Sequence, residues 1–154
     1  MKNRTATVVT ICEIAIHRLR ELTDNQAQEA GRLMRQRERI RSLWNDIRID
    51  PPLKEPAGPF RVGEHMRITA LAHLGRLLPE EVEVQLYYGL LKSIDSLDSG
   101  ATEPMDVVEQ RDNGDFLFGC TIPCNVSGRF GFTVRIIPRG DDWLKAAPLM
   151  ITWA

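Results

Sequence analysis

Cys120 and Cys124 are the first residues of this chain whose chemistry invites a function. Thr121, Ile122 and Pro123 stand between them. Zinc sites and redox pairs usually use two intervening residues, and no second Cys/His pair lies at ligand spacing. The pair therefore predicts packing, with no metal site, and Cys120 is expected on the inward face of a strand. His17, His65 and His73 are scattered, with no Ser, Asp or Cys placed in sequence to suggest a nucleophilic triad. Glu80, Glu81 and Glu83 offer the carboxylates that a glycosidase pairs. Glu81 and Glu83, however, fall on the polar face of an expected strand, where solvent exposure is reason enough. Ser127-Gly128-Arg129-Phe130-Gly131 has the glycines of a phosphate loop without its spacing, its lysine or a following helix. No catalytic residue is expected anywhere in the chain.

Aromatic rings stack on sugars and also anchor domain interfaces. Trp143, in the polar run Gly140-Asp141-Asp142-Trp143, is the ring expected to be exposed. With Tyr87 and Tyr88 it forms the set of possible glucan or interface contacts. Trp44 and Trp153 are expected to pack, as aromatics in small domains usually do.

These residues sit in a chain of 154, enough for one domain or a small domain with an appendage. The net charge of −1 excludes wholesale attraction to nucleic acid or membranes. Ten Lys/Arg face seven Asp/Glu in residues 1–50, and ten face fourteen in residues 51–154. That asymmetry predicts two unlike pieces. The apolar run Ala6–Ile16 is broken by Thr10 and Glu13 and is too short to span a bilayer. Three cysteines leave at least one unpaired, so a reducing, cytoplasmic setting is expected.

Residues 1–22 are apolar on nearly every side of a helix, which predicts a missing neighbour: absent domains or a second copy of the chain. From a cap at Thr23 or Asp24, the positions Ala27, Ala30, Leu33, Met34, Arg37, Ile40, Trp44 and Ile47 follow helical spacing. Arg32, Arg35, Arg39 and Arg41 mark the opposite, solvated face. Residues 1–48 thus form a helical lead-in. Pro51, Pro52, Pro56 and Pro59 make 49–59 a linker.

Residues 60–154 read as strands. Ile68, Ala70, Ala72 and Leu74 share one face, as do Val82, Val84, Leu86 and Tyr88. Leu90–Glu103, polar and holding Gly100, predicts a loop. Asn113-Gly114 predicts a hairpin between Met105–Arg111 and Phe116–Ile122. Phe132, Val134 and Ile136 mark a further inward face, and Leu149, Ile151 and Trp153 alternate to the end. The expected fold is mainly β with N-terminal helices. An amphipathic helical segment leads into an antiparallel, immunoglobulin-like β-sandwich.

Several segments belong together: Val82–Gly89 (VEVQLYYG), Ile122-Pro123-Cys124, Ser127–Arg135 (SGRFGFTVR) and Thr152-Trp153-Ala154. In that order they resemble the C-terminal region of bacterial α-glucan (glycogen/maltodextrin) phosphorylases of the shorter, bacterial-archaeal type. Trp44–Ile49 is similar to the segment preceding that region, so the resemblance runs from about His17 to Ala154. It implies a parent enzyme several times longer, which uses lysine-bound pyridoxal phosphate to phosphorolyse α-1,4-glucan to glucose 1-phosphate. In that family the cofactor lysine follows a Ser-Gly-Met stretch. Lys2, Lys54, Lys92 and Lys145 all lack that context. No catalytic or cofactor residue carries over, and no pyridoxal phosphate is expected in this chain. The resemblance implies a non-catalytic fragment whose partner is the missing catalytic domains. A stand-alone module binding α-glucan is the alternative.

Overall fold

Periodicity of two builds most of this molecule. The computed structural model describes residues 28–93, 96–140 and 150–154. Helix α1 covers Gln28–Leu43. The expected caps at Thr23 and Asp24, and the apolar run before them, lie outside the described residues. A 3-10 turn, Trp44–Asp46, tightens the end of α1, and Ile47 leaves it with extended backbone (φ −77, ψ 132). Ile47 is therefore not the last helical position that its spacing predicts. Its N–H closes the turn onto the Trp44 carbonyl at 3.1 Å. Met34, a member of the helical stripe, is 64% exposed.

One compact unit covers Met1–Arg39 and a second Ile40–Ala154. Among the described residues, the second contains eight strands: β1 (Arg48–Ile49), β2 (Leu53–Glu55), β3 (His65–His73), β4 (Val82–Ser93), β5 (Ser96–Gln110), β6 (Phe116–Pro123), β7 (Phe130–Pro138) and β8 (Thr152–Trp153). Every pairing is antiparallel. The hydrogen-bonded order is β1-β3-β6-β5-β4-β7-β8, with β2 also on β3. β1 also lies beside β7 and β8, so the path curls towards a barrel. The stretch read as a linker thus contributes β2. Its three residues are exposed, and prolines flank it, as suits an edge strand.

The expected inward faces are buried. Ile68, Ala72, Val82, Leu86, Val134 and Ile136 are fully enclosed and pack with Ile40, Trp44, Phe118 and Ile122 in one cluster. Each such Ile, Val or Leu side chain contributes roughly 1.5–3 kcal/mol by leaving water. The hairpin forms at Asn113-Gly114, where Gly114 takes φ +88. Asn113 Oδ1 accepts from the Asp115 N–H at 3.1 Å, and the Arg111 N–H donates to the Asp115 carbonyl at 2.8 Å.

Two expectations fail here. Leu90–Glu103 is not a loop, because β4 continues to Ser93 and β5 starts at Ser96. Gly100 spoke against a strand, yet it and Pro104 each have a place. β5 pairs with β4 up to Met105 and with β6 from Asp106, so Pro104 stands where the strand passes between the two halves of the sheet. A Cβ on Gly100 would lie 2.2 Å from Cζ of Tyr87, so the missing side chain is space taken by the ring. At the chain's end Met150 is buried, while Ile151 and Trp153 are exposed. Pairing of Trp153 with Arg135 and Thr152 with Ile136 puts the indole on the outer face of the sheet, where Arg135 lies.

Candidate functional site

The outer face of β4, β7 and β8 gathers the polar and aromatic side chains that alternation turns away from the core. Glu83, Gln85 and Tyr87 project from β4 between the buried Val82, Val84 and Leu86. Register sets Arg135 beside Gln85 on one side and Trp153 on the other. Arg135 Nε donates to Gln85 Oε1 at 2.9 Å, and Gln85 Nε2 donates in turn to Glu83 Oε1. The guanidinium carbon stands 5.5 Å from the centroid of the Trp153 ring, within cation–π range. Tyr87 meets Trp153 edge-to-face, centroids 6.2 Å apart and planes at 77°. Trp153 remains 48% exposed. The result is a row in which carboxylate, amide, guanidinium and indole hold one another in place.

Of the three aromatics expected to make contacts, only Tyr87 belongs to this face. Tyr88 points the other way and packs against the core, and Trp143 lies outside the described residues. Trp153, expected to pack, is instead an exposed ring of this face. Its register on β7 was the deciding signal, and two residues are too short a strand to reveal register by pattern.

Inside the sheet, Tyr88 and Cys120 are both held in their protonated forms. Burial is the main cause for each, with the Glu103 carboxylate adding to it. The Cys120 thiol is pushed up to about 11. A thiol held neutral is a poor nucleophile and metal ligand, so Cys120 acts as the half-buried apolar residue its position predicts. Cys120 and Cys124 are both free. Among the described residues no group of three or more His, Cys, Asp or Glu could hold a metal ion.

His73 has partners that sequence spacing did not reveal. Its Nδ1 lies 2.9 Å from Asp115 Oδ1, and its Nε2 lies 3.4 Å from Asp50 Oδ1. The imidazole thereby ties the β5–β6 hairpin to the residue after β1. These partners are 42 and 23 positions away and meet it only through sheet pairing.

Pyridoxal phosphate does not fit the described lysine. Lys54 stands on edge strand β2, donates to the Gly58 carbonyl at 3.1 Å and lies 5.8 Å from the Phe60 centroid. The chain after β2 is not helical, so no helix N-terminus is there to receive a phosphate. Lys2, Lys145 and the side chain of Lys92 lie outside the described residues.

Near Lys54, a groove of about 400 Å³ is lined by Phe60, Val62, Cys124, Val126 and Phe130 among others. Val62 and Val126 are more than half exposed. Among the described residues, no helix is long and apolar enough to cross a membrane.

Residues 44–154 match the family model described as the glycogen phosphorylase C-terminal domain. The chain belongs to this family. The matched residues start at Trp44, in the 3-10 turn, and include all eight strands. The chain is 30% identical over 134 residues to glycogen phosphorylase of Mycobacterium bovis, and 29% identical over 134 residues to that of Mycobacterium tuberculosis H37Rv. Each match covers 81% of this chain and only 15% of the relative, so the chain spans a small part of the curated relatives it matches. No solved structure matches significantly.

Proposed function

We propose that this chain is the non-catalytic C-terminal part of a glycogen phosphorylase-like protein, an accessory domain that packs on a catalytic body. The observation that carries this reading is a coincidence of boundaries. The family match at 44–154 and the compact unit Ile40–Ala154 are nearly the same stretch. A self-contained β domain of this kind corresponds to a small share of a much longer enzyme. The parent activity is phosphate-dependent cleavage of α-1,4-glucan to glucose 1-phosphate, with pyridoxal phosphate held by the catalytic body. On this reading no residue here performs catalysis.

The exposed apolar residues Val62 and Val126 suit a face that packs on a larger body. Met34, exposed on α1, offers a second apolar contact, towards the catalytic domains or another copy of the chain. Sharing of β5 between two halves of the sheet supports an immunoglobulin-like sandwich drawn towards closure. Free Cys120 and Cys124 support a reducing, cytoplasmic setting.

A chimaera tests the role. In the Mycobacterium tuberculosis enzyme, the matched C-terminal region is deleted or replaced by residues 44–154 of this chain. The deletion is expected to lose soluble, active enzyme and the chimaera to recover it. A deletion that keeps full activity and stability would refute the accessory role.

A further inference from the structure

We infer that the groove beside Lys54 is the seat of an acidic polypeptide segment, anchored by apolar side chains and supplied by the catalytic body. The inference rests on the accessory-domain reading and adds to it where the contact lies and what chemistry the partner brings. The groove, about 400 Å³, is built by the connections that follow β2 and β6 and by residues near the end of β4. Backbone bonds set its shape before anything arrives. The Gly63 N–H donates to the Cys124 carbonyl at 2.9 Å, and the Cys124 N–H to the Glu64 carbonyl at 2.8 Å. The Leu91 N–H donates to the Arg129 carbonyl at 2.8 Å. Walls held in this way lose little freedom when a partner docks.

The lining joins an apolar floor to charges of one sign. Phe60, Ile122 and Phe130 offer the kind of pocket that takes a leucine or aromatic anchor. Among the described residues that line the groove, Lys54 and Arg129 alone are charged, and both are exposed. Lys54 Nζ donates to the Gly58 carbonyl at 3.1 Å, with further donors left for a carboxylate. Arg129 offers a planar fork that matches a carboxylate. Two carboxylates close by in sequence have other neighbours. Glu64 Oε2 accepts from the Arg61 N–H at 2.8 Å, and Glu55 pairs in register with Arg67 on β3. Cations over an apolar floor with no lining carboxylate favour an acidic partner.

The extent of the apolar surface points to a polypeptide. Val62 and Val126, 60% and 53% exposed, stand on the two connections that form the groove. A small anion would leave them in water, whereas a segment lying across the groove covers them. Two cations are also fewer than the roughly four to eight basic side chains that hold a protein to an anionic lipid surface.

Cys124 lines the groove and serves as its reporter. Its alkylation by iodoacetamide is followed by peptide mass spectrometry in the free full chain and in the chimaera that carries residues 44–154 on the Mycobacterium tuberculosis enzyme. Labelling in the chimaera is expected to be slower by about tenfold or more, because a covered thiol reacts only when the contact opens. The double variant Lys54→Glu with Arg129→Glu should return the chimaera to the free-chain rate. Lys54→Arg with Arg129→Lys, which keeps the charges, should keep the protection. Rising salt should speed labelling of the unchanged chimaera and not of the charge-reversed one. The charge reversal should leave the thermal midpoint of the free chain nearly unchanged, since both side chains are exposed. An active chimaera whose Cys124 reacts as fast as in the free chain would overturn this seat and leave the accessory role standing. A deletion that keeps full activity, by contrast, refutes that role and with it the body this groove requires. Protection already present in the free chain would also overturn the proposal. It would assign the groove to a second copy if protection grows with concentration, and to another part of the same chain if it does not.

Discussion

The guanidinium carbon of Arg135 lies 5.5 Å from the centre of the Trp153 ring, while its Nε bonds Gln85 at 2.9 Å. One side chain thus joins the short terminal strand β8 to the long strand β4. Cutting Arg135 back to Ala removes both contacts and leaves Gln85 with its bond to Glu83 alone. The expected cost is about 1 kcal/mol, the range of a cation–π contact at a partly exposed site. Urea unfolding followed by tryptophan fluorescence measures it, and Arg135→Lys should restore only part of the loss.

Gly100 is the counterpart on the other side of Tyr87. A methyl group there would sit 2.2 Å from Cζ and 2.3 Å from the hydroxyl of Tyr87. Gly100→Ala must therefore move the ring, with an expected loss of about 1–3 kcal/mol. The effect should vanish in a Tyr87→Ala background, which removes the clash. A double-mutant cycle read by thermal unfolding checks this.

These two contacts show where sequence reasoning reached and where it stopped. The core faces of β3, β4, β6 and β7 were legible because alternation along one strand is a local property. Ile68, Val84, Phe118 and Val134 all lie where their spacing puts them. The hairpin at Asn113-Gly114 was legible for the same reason. Gly100 concealed the start of β5, because its reason is non-local: the ring of Tyr87 on the next strand. The outward Trp153 was hidden by register, and the partners of His73 by sheet pairing. The candidate site is therefore mostly a product of topology, with Glu83 and Tyr87 the members that the sequence had already singled out.

Stability should fall at alkaline pH through Cys120. Its folded-state value is raised from 9.0 to about 11, so the folded chain holds the proton more tightly than the unfolded chain. The corresponding stabilisation is fully present below pH 9 and is lost as pH rises towards 11. Cys120→Ala should flatten that part of the stability curve, measured by denaturant titration at successive pH values. Alkylation of Cys120 by iodoacetamide at pH 8 should accordingly be slow.

His73 joins Asp115 at 2.9 Å and Asp50 at 3.4 Å in a partly exposed setting. His73→Ala is expected to cost about 1 kcal/mol, less than a buried charge-assisted bond because water reaches the site. Amide exchange should rise in the hairpin at Arg111–Asp115 and at Asp50, with β7 unaffected. A uniform change across the sheet would show that the contact has no local anchoring role.

The most direct test of the accessory-domain account is glucose 1-phosphate release by the purified chain. The reaction contains glycogen, orthophosphate and pyridoxal phosphate. The account predicts no release above a no-protein blank. Release that scales with the concentration of this chain, in a preparation free of full-length phosphorylase, would contradict it.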